Sequence, residues 1–219
     1  MQELELCGDG DRPLVVLCLG AHCDDIEIGC GATLLRQLRM QRPIEIHWVV
    51  LCSTEPRKNE SLDAFNLLTD HAAQRSIDVQ SFEDGFLPWQ GAEVKRHFER
   101  LKQRLNPDII FTHAGVDRHQ DHRTVSELTW NTFRDHVILE YEIPKYDGDL
   151  GAPGVFVPIA AEIADKKIDI LLQSFASQRG KQWFTRDTFL GLMRLRGLEC
   201  NAPEGYAEAF YARKLRIRL

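Results

Sequence analysis

Leu14-Val15-Val16-Leu17-Cys18-Leu19 is an unbroken apolar run closed by Gly20, and it constrains the fold more than any other stretch of the chain. A strand without polar alternation must be covered on both faces, the condition of a central strand in a parallel sheet. Ile44–Cys52 repeats the pattern with Ile44, Ile46, Trp48, Val49, Val50 and Leu51. Between the two lie a glycine-containing turn and Thr33–Met40, where Leu34, Leu35 and Leu38 stand at helical spacing. Residues 60–76 predict a helix with Leu62, Phe65, Leu68 and Ala72 on one face. Ile77–Phe82 reads as a short strand and Val94–Leu105 as a helix ended by Asn106-Pro107. Asp108–Thr112 follows as a buried strand, then a helix from about Asp121 to Phe133. This alternation predicts a three-layer, Rossmann-like α/β domain with a mostly parallel sheet. Ligands in such sheets collect at the carboxyl ends of the strands.

Beyond residue 136 the pattern is less regular. A strand over Val137–Ile143 leads into the turn-rich Pro144-Lys145-Tyr146-Asp147-Gly148-Asp149. Helical spacing returns around 160–173 and 186–196, and a last strand is expected near Glu208–Leu219. Within it, charged and apolar residues alternate over Lys214–Leu219, which predicts an edge strand with a solvated charged face. No repeat or linker interrupts the chain, so residues 1–219 are read as one domain whose part from about 137 onward shapes the pocket.

The 219 residues are 43% hydrophobic, enough for a sizeable core, and carry a formal charge of −6. That charge argues against a nucleic-acid partner, which calls for a basic face. No apolar run approaches the ~20 residues of a membrane span. The acidic start Met1-Gln2-Glu3-Leu4-Glu5 does not match the basic start of a signal peptide, so a cytoplasmic location is expected. Six cysteines (Cys7, Cys18, Cys23, Cys30, Cys52 and Cys200) form no CxxC pair, and reduced thiols are the expectation.

Two polar segments each follow a buried strand. The first, Gly20-Ala21-His22-Cys23-Asp24-Asp25-Ile26-Glu27-Ile28-Gly29-Cys30-Gly31, sets an imidazole and two carboxylates within four residues. A turn there can aim His22 and Asp25 at one metal ion and leave Asp24 beside it as a base. Helix capping by Asp24 and Asp25 is the plainer alternative. A dinucleotide loop fits poorly, since Gly29-Cys30-Gly31 lacks a third glycine and the acidic turn would repel a pyrophosphate. The second segment runs from His113 to Thr124, and its His119 and His122 stand three apart at the entry to a helix. Asp121 can accept a hydrogen bond from one of them. Its alternative is a solvated loop. Converging at one sheet edge, His22, Asp25 and His122 make three ligands and leave a fourth zinc position for water.

Those residues resemble the PIG-L/LmbE-like zinc deacetylases acting on N-acetylglucosamine derivatives. The His-Pro-Asp-Asp-x-Glu motif is matched by His22-Cys23-Asp24-Asp25-Ile26-Glu27 in all but the proline, and His-x-Asp-His by His119-Gln120-Asp121-His122. Weaker echoes are Asp84-Gly85, Ser177-Gln178 and Tyr206-Ala207-Glu208-Ala209-Phe210. The resemblance implies one Zn2+ per chain held by His22, Asp25 and His122, with Asp24 as general base. It also implies that a protonated His119 stabilises the transition state and that Asp121 orients or tunes His119. Cys23 in place of proline removes no ligand, although it is itself a candidate ligand or redox-sensitive thiol. The implied substrate is a small-molecule N-acylated amino sugar. Arg57, Asp84, Tyr146, Gln178 and Glu208 are candidate substrate contacts, each with a structural alternative, and an exposed Trp89 would suit a sugar ring. A zinc de-N-acylase of a non-sugar amide and a non-catalytic Rossmann-like sugar- or nucleotide-binding module are the competing readings. A homo-oligomer is compatible with all of them.

Overall fold

The computed structural model describes Glu3, residues 12–40 and residues 42–216. β1 (Leu14–Gly20), β2 (Ile44–Cys52), β3 (Gln74–Phe82), β4 (Ile109–His113), β5 (Val137–Tyr141), β6 (Val155–Ile159) and β7 (Tyr206–Tyr211) join one sheet in the order β3-β2-β1-β4-β5-β7-β6. The first five strands are parallel. β7 runs antiparallel to both β5 and β6. Alternate residues of β1, β2, β4 and β5 serve different cores. Leu14, Val16 and Cys18 of β1 join the core that includes Trp48, Phe65, Leu171 and Phe210, whereas Leu17 and Leu19 join the one with Phe98, Val125 and Phe133. The helices α1 (Asp25–Gln37), α2 (Glu55–Thr69), α5 (Ala161–Ser174) and α6 (Arg186–Glu199) supply the first core, and α3 (Gly91–Arg104) and α4 (Gln120–Thr132) the second. The result is the expected three-layer α/β fold.

This topology places the site. The chain builds outward from β1 through β2 to β3, then returns past β1 to add β4. The helix after β1 covers one face and the helix after β4 the other. The two loops part at the carboxyl ends of β1 and β4, the switch point at which doubly wound sheets hold their ligands.

Several boundaries differ from the sequence expectation. The first helix begins at Asp25, not near Thr33, so Gly29 and Gly31 lie inside α1 rather than in a turn. Gly29 is there because of a distant neighbour: a Cβ added to it would stand 2.2 Å from the Tyr141 ring. That ring is fixed in turn by its hydroxyl, which donates to the Leu19 carbonyl at 2.7 Å. The expected helix over 60–76 is α2, which ends at Thr69 and gives way to a longer β3. β6 was not expected. Its Pro158 marks an edge strand, where a missing N–H is tolerated, and β6 is indeed the last strand of the sheet. The C-terminal strand ends at Tyr211, and residues 214–216 are in no strand, so the charged alternation there does not form a sheet edge. Instead Arg213 lies 4.4 Å from the Trp130 ring centre and Lys214 donates to the Arg134 carbonyl at 2.6 Å. Residues 217–219 of that expected strand lie outside the described residues. Among the described residues no helix is long and apolar enough to cross a membrane.

Candidate metal centre

His22 leaves β1 after two residues, and Asp25 opens α1. The Asp25 Oδ2 accepts the His22 backbone N–H at 2.7 Å, which curls the loop and turns the His22 ring back toward its own helix. His122 lies in the first turn of α4, behind the N-cap His119. Three donor atoms therefore meet. His22 Nδ1 is 3.2 Å from His122 Nε2 and 3.3 Å from Asp25 Oδ2, and His122 Nε2 is 3.5 Å from that oxygen. All three residues are buried. The outer nitrogen of each ring faces a carboxylate. His22 Nε2 stands 3.2 Å from Asp121 and 3.0 Å from Asp84, and His122 Nδ1 stands 2.9 Å from Asp117. The outer nitrogens are thus committed to carboxylates, and the inner nitrogens and Asp25 Oδ2 are the atoms left to face a cation, a proton in the metal-free protein or a metal ion in its place. Either cation offsets the mutual repulsion of the three acceptor atoms.

Three other groups of donors overlap it: His22, His119 and His122; His22, Asp84, His119 and Asp121; and Asp25, His113 and His122. His113 is the weaker ligand because its Nε2 already accepts the Ala21 N–H at 3.0 Å. It stacks flat on His122, with ring centres 3.9 Å apart. The first-segment pair His22 and Asp25 with His122 is the set whose two ring nitrogens accept no backbone N–H.

The electrostatics separate the acids. Burial opposes the charge on Asp25, but His122, His113 and His22 outweigh it and hold its carboxyl well below the usual range. Asp24, one residue earlier, goes the other way: burial raises its pKa against the pull of Arg57, with Asp25 adding to the rise. Burial also opposes charge on His22, yet Asp25, Asp121 and Asp84 carry its pKa well above 6.5. His119 and His122 are both lowered, first by burial and then by neighbouring imidazoles.

The other candidates are distributed unevenly. Asp121 does not orient the His119 ring: its carboxylate faces His22 and accepts the Gly85 and Leu87 N–H groups at 2.7 and 3.1 Å. Gly85 reaches it in a left-handed conformation, φ 83°. The His119 Nδ1 instead accepts the Asp121 backbone N–H at 3.3 Å. A neutral ring therefore keeps its proton on Nε2, and burial with the neighbouring imidazoles lowers its pKa. Arg57 reaches the site by donating to Asp24 at 2.8 Å. Asp84, on the open side of His22, has its carboxyl pulled to about 2, chiefly by the hydrogen bond with that ring. Gln178 is buried beside Ser177, with its side-chain oxygen unpartnered. Tyr146 is 73% exposed on the turn after β5. Glu208 is committed away from the cluster: its two oxygens accept the Ala32 and Thr33 N–H groups within α1, and it pairs with Lys167. Trp89 stands exposed with Phe86 beside it, ring centres 5.7 Å apart. Cys23 donates to the Cys52 carbonyl, and burial pushes its thiol up to about 12, which removes it as a ready ligand. Five cysteines are free and buried, and Cys7 lies outside the described residues.

Sequence reasoning assigned no role to His113 or Asp117. A signal was present for the first, a polar residue at the end of a buried strand; Asp117 carried none, because its value comes from His122 folding back over it.

Glu27 ends the first motif and is buried with neither carboxylate oxygen partnered. Burial, reinforced by Asp24 and Asp25, pushes its pKa well above 4.5. A raised carboxyl favours the folded state while it is protonated, and that contribution is lost as pH rises through the folded pKa. Glu27→Gln is therefore expected to melt like the parent below pH 4.5 and at progressively higher temperature than the parent as pH rises. Parallel melting curves across that range would contradict the burial argument.

The fold and the cluster define a class: three-layer α/β proteins with a His/carboxylate centre, able to hold a metal, at the switch point of the sheet. Residues 17–133 match PIG-L, described as GlcNAc-PI de-N-acetylase. The chain belongs to the PIG-L family, and with it to the deacetylases. It is 32% identical over 143 residues to YaiS, an uncharacterized deacetylase of Escherichia coli (strain K12), spanning 59% of this chain and 74% of that one. Among solved structures, N,N'-diacetylchitobiose deacetylase from Pyrococcus horikoshii matches at TM-score 0.69 and 19% identity, over 90% of this chain and 83% of that one. GalB, the 4-carboxy-2-hydroxymuconate hydratase of Pseudomonas putida KT2440, matches at 0.76 and 16%, over 94% and 98%. At these identities the two structures share the fold alone with this chain.

Proposed function

We propose that the chain is a zinc-dependent deacetylase that binds one zinc through His22, Asp25 and His122 and releases acetate from an N-acetylglucosamine-type sugar. The observation that carries the metal half is the donor triangle. Its edges of 3.2, 3.3 and 3.5 Å compare with about 3.3–3.5 Å between ligands of a tetrahedral zinc at ordinary Zn–N and Zn–O lengths. Two imidazoles and a carboxylate also suit zinc chemically, and three protein ligands are the number that leaves a position open.

Zinc, when bound, supplies a water of lowered pKa, towards ~7, and a Lewis acid for the amide carbonyl. Asp24 lies outside the triangle, and its raised carboxyl makes it a better proton acceptor than the ionised Asp25. It takes the proton of the attacking water and returns it to the departing amine. Arg57 holds its Oδ1 and so fixes which oxygen is free for that transfer. His119, neutral with Nε2–H outward, donates to the carbonyl oxygen as negative charge builds there. The sugar half rests on the family and on Asp84 at the mouth, placed to accept a hydroxyl. A cytoplasmic location belongs to this proposal as well.

Zinc-loaded protein is expected to carry about one metal per chain. Incubated with N-acetylglucosamine, N,N'-diacetylchitobiose, a nucleotide-linked and a lipid-linked N-acetylglucosamine, it should release acetate and free amine in equal amounts from at least one. Release only from non-sugar amides would move the substrate class. Protein that takes no zinc and releases nothing would return the chain to the binding-module reading.

A further inference from the structure

We propose that Asp117 is a positioning residue that sets the metal-binding form of His122, with Lys145 holding its carboxylate in place. The inference rests on the metal reading above. Asp117 is buried, and its two oxygens do different things. Oδ1 accepts the His119 backbone N–H at 2.8 Å, fixing the entry to α4. Oδ2 stands 2.9 Å from His122 Nδ1 and 2.9 Å from Lys145 Nζ. Lys145 is anchored in turn by Asp149 at 2.6 Å, and Asp149 accepts the Arg118 N–H at 2.7 Å. The turn after β5 thus braces the loop before α4 through Lys145 and Asp149.

The consequence for His122 is chemical. A neutral imidazole carries its proton on one nitrogen, and an ionised acceptor beside Nδ1 selects the Nδ1–H form. Nε2 then carries the lone pair, and Nε2 is the atom at the corner of the donor triangle. A carboxylate on the far side of a ligating histidine fixes both tautomer and ring angle, and losing it costs roughly 10–100-fold in metal affinity. The same carboxylate sets the backbone of His119, so one side chain orders two of the candidate site histidines.

Asp117→Asn separates the two duties, because its amide oxygen can still accept the His119 N–H while the charge facing His122 is gone. The test is zinc affinity by competition with a chromophoric chelator, alongside histidine tautomers by nitrogen-15 NMR on metal-free protein. Asp117→Asn is expected to bind zinc roughly 10–100-fold more weakly. The His122 Nδ1–H form should dominate in the parent and lose that dominance in the variant. Asp149→Asn, which loosens the same loop but leaves Asp117 on His122, is expected to keep zinc affinity within about threefold. Equal losses in both variants would mean a merely structural brace and overturn the proposal. A parent in which metal-free His122 carries its proton on Nε2 would overturn it even if Asp117→Asn fails to fold. A parent with the Nδ1–H form that takes no zinc would instead overturn the metal reading and leave the Asp117–His122 pairing standing.

Discussion

Asp24→Asn is expected to keep its zinc and lose roughly 10²–10⁴-fold in turnover, the range a positioned general base contributes. The substitution is nearly isosteric, and the new amide oxygen can still accept from Arg57, so the loop should hold its shape. None of the three donor atoms belongs to Asp24. What disappears is a buried carboxyl, next in the chain to the ligand Asp25, whose proton affinity is raised where that of Asp25 is lowered. Zinc content by mass spectrometry and steady-state acetate release on the same preparation separate the two properties. Parent-level turnover in a metal-loaded Asp24→Asn would remove Asp24 from the mechanism, and loss of metal would place it among the ligands.

Asp25→Ala should do the opposite and remove the metal itself. Its Oδ2 is a corner of the triangle and also the acceptor for the His22 N–H that shapes the loop. Without it, only the His22 and His122 nitrogens remain of the three donors, 3.2 Å apart, with no ligand anion to balance a cation. Zinc affinity is expected to fall by more than about 100-fold, beyond the usual cost of losing an outer partner. Stability should suffer too, since a helix that begins at Asp25 loses an acidic residue from its first turn. Chelator competition and thermal melting read the two effects. Undiminished zinc binding by Asp25→Ala would shift the centre to the overlapping group His22, His119 and His122.

The parts of the fold legible in the sequence were those that depend on near neighbours. The apolar runs that became β1, β2 and β4 announce burial on both faces, and helical spacing announces α3, α4 and α5. The polar residues right after β1 and near the end of β4 had to reach the switch point once the sheet was parallel, because chain direction places those loops at one edge. Errors came where a residue answers to something far away. Gly29 and Gly31 read as a turn because glycine is a poor helix former, but Gly29 is small to admit Tyr141, more than a hundred residues later. Glu208 stood as a candidate substrate contact with a structural alternative, and its carboxylate holds the backbone of α1.

By itself, then, the sequence determined the layered α/β class and the two His/Asp segments, since hydrophobic periodicity and strand-to-loop order are local properties. Only the tertiary structure decided the pairing: Asp121 with His22 rather than His119, Arg57 on Asp24, and Asp117 with Lys145 behind His122. Those choices depend on angles and distances of a few ångströms between elements packed from different parts of the chain. Hydrogen bonds and charge interactions are decided at that scale, and no spacing along the chain encodes it.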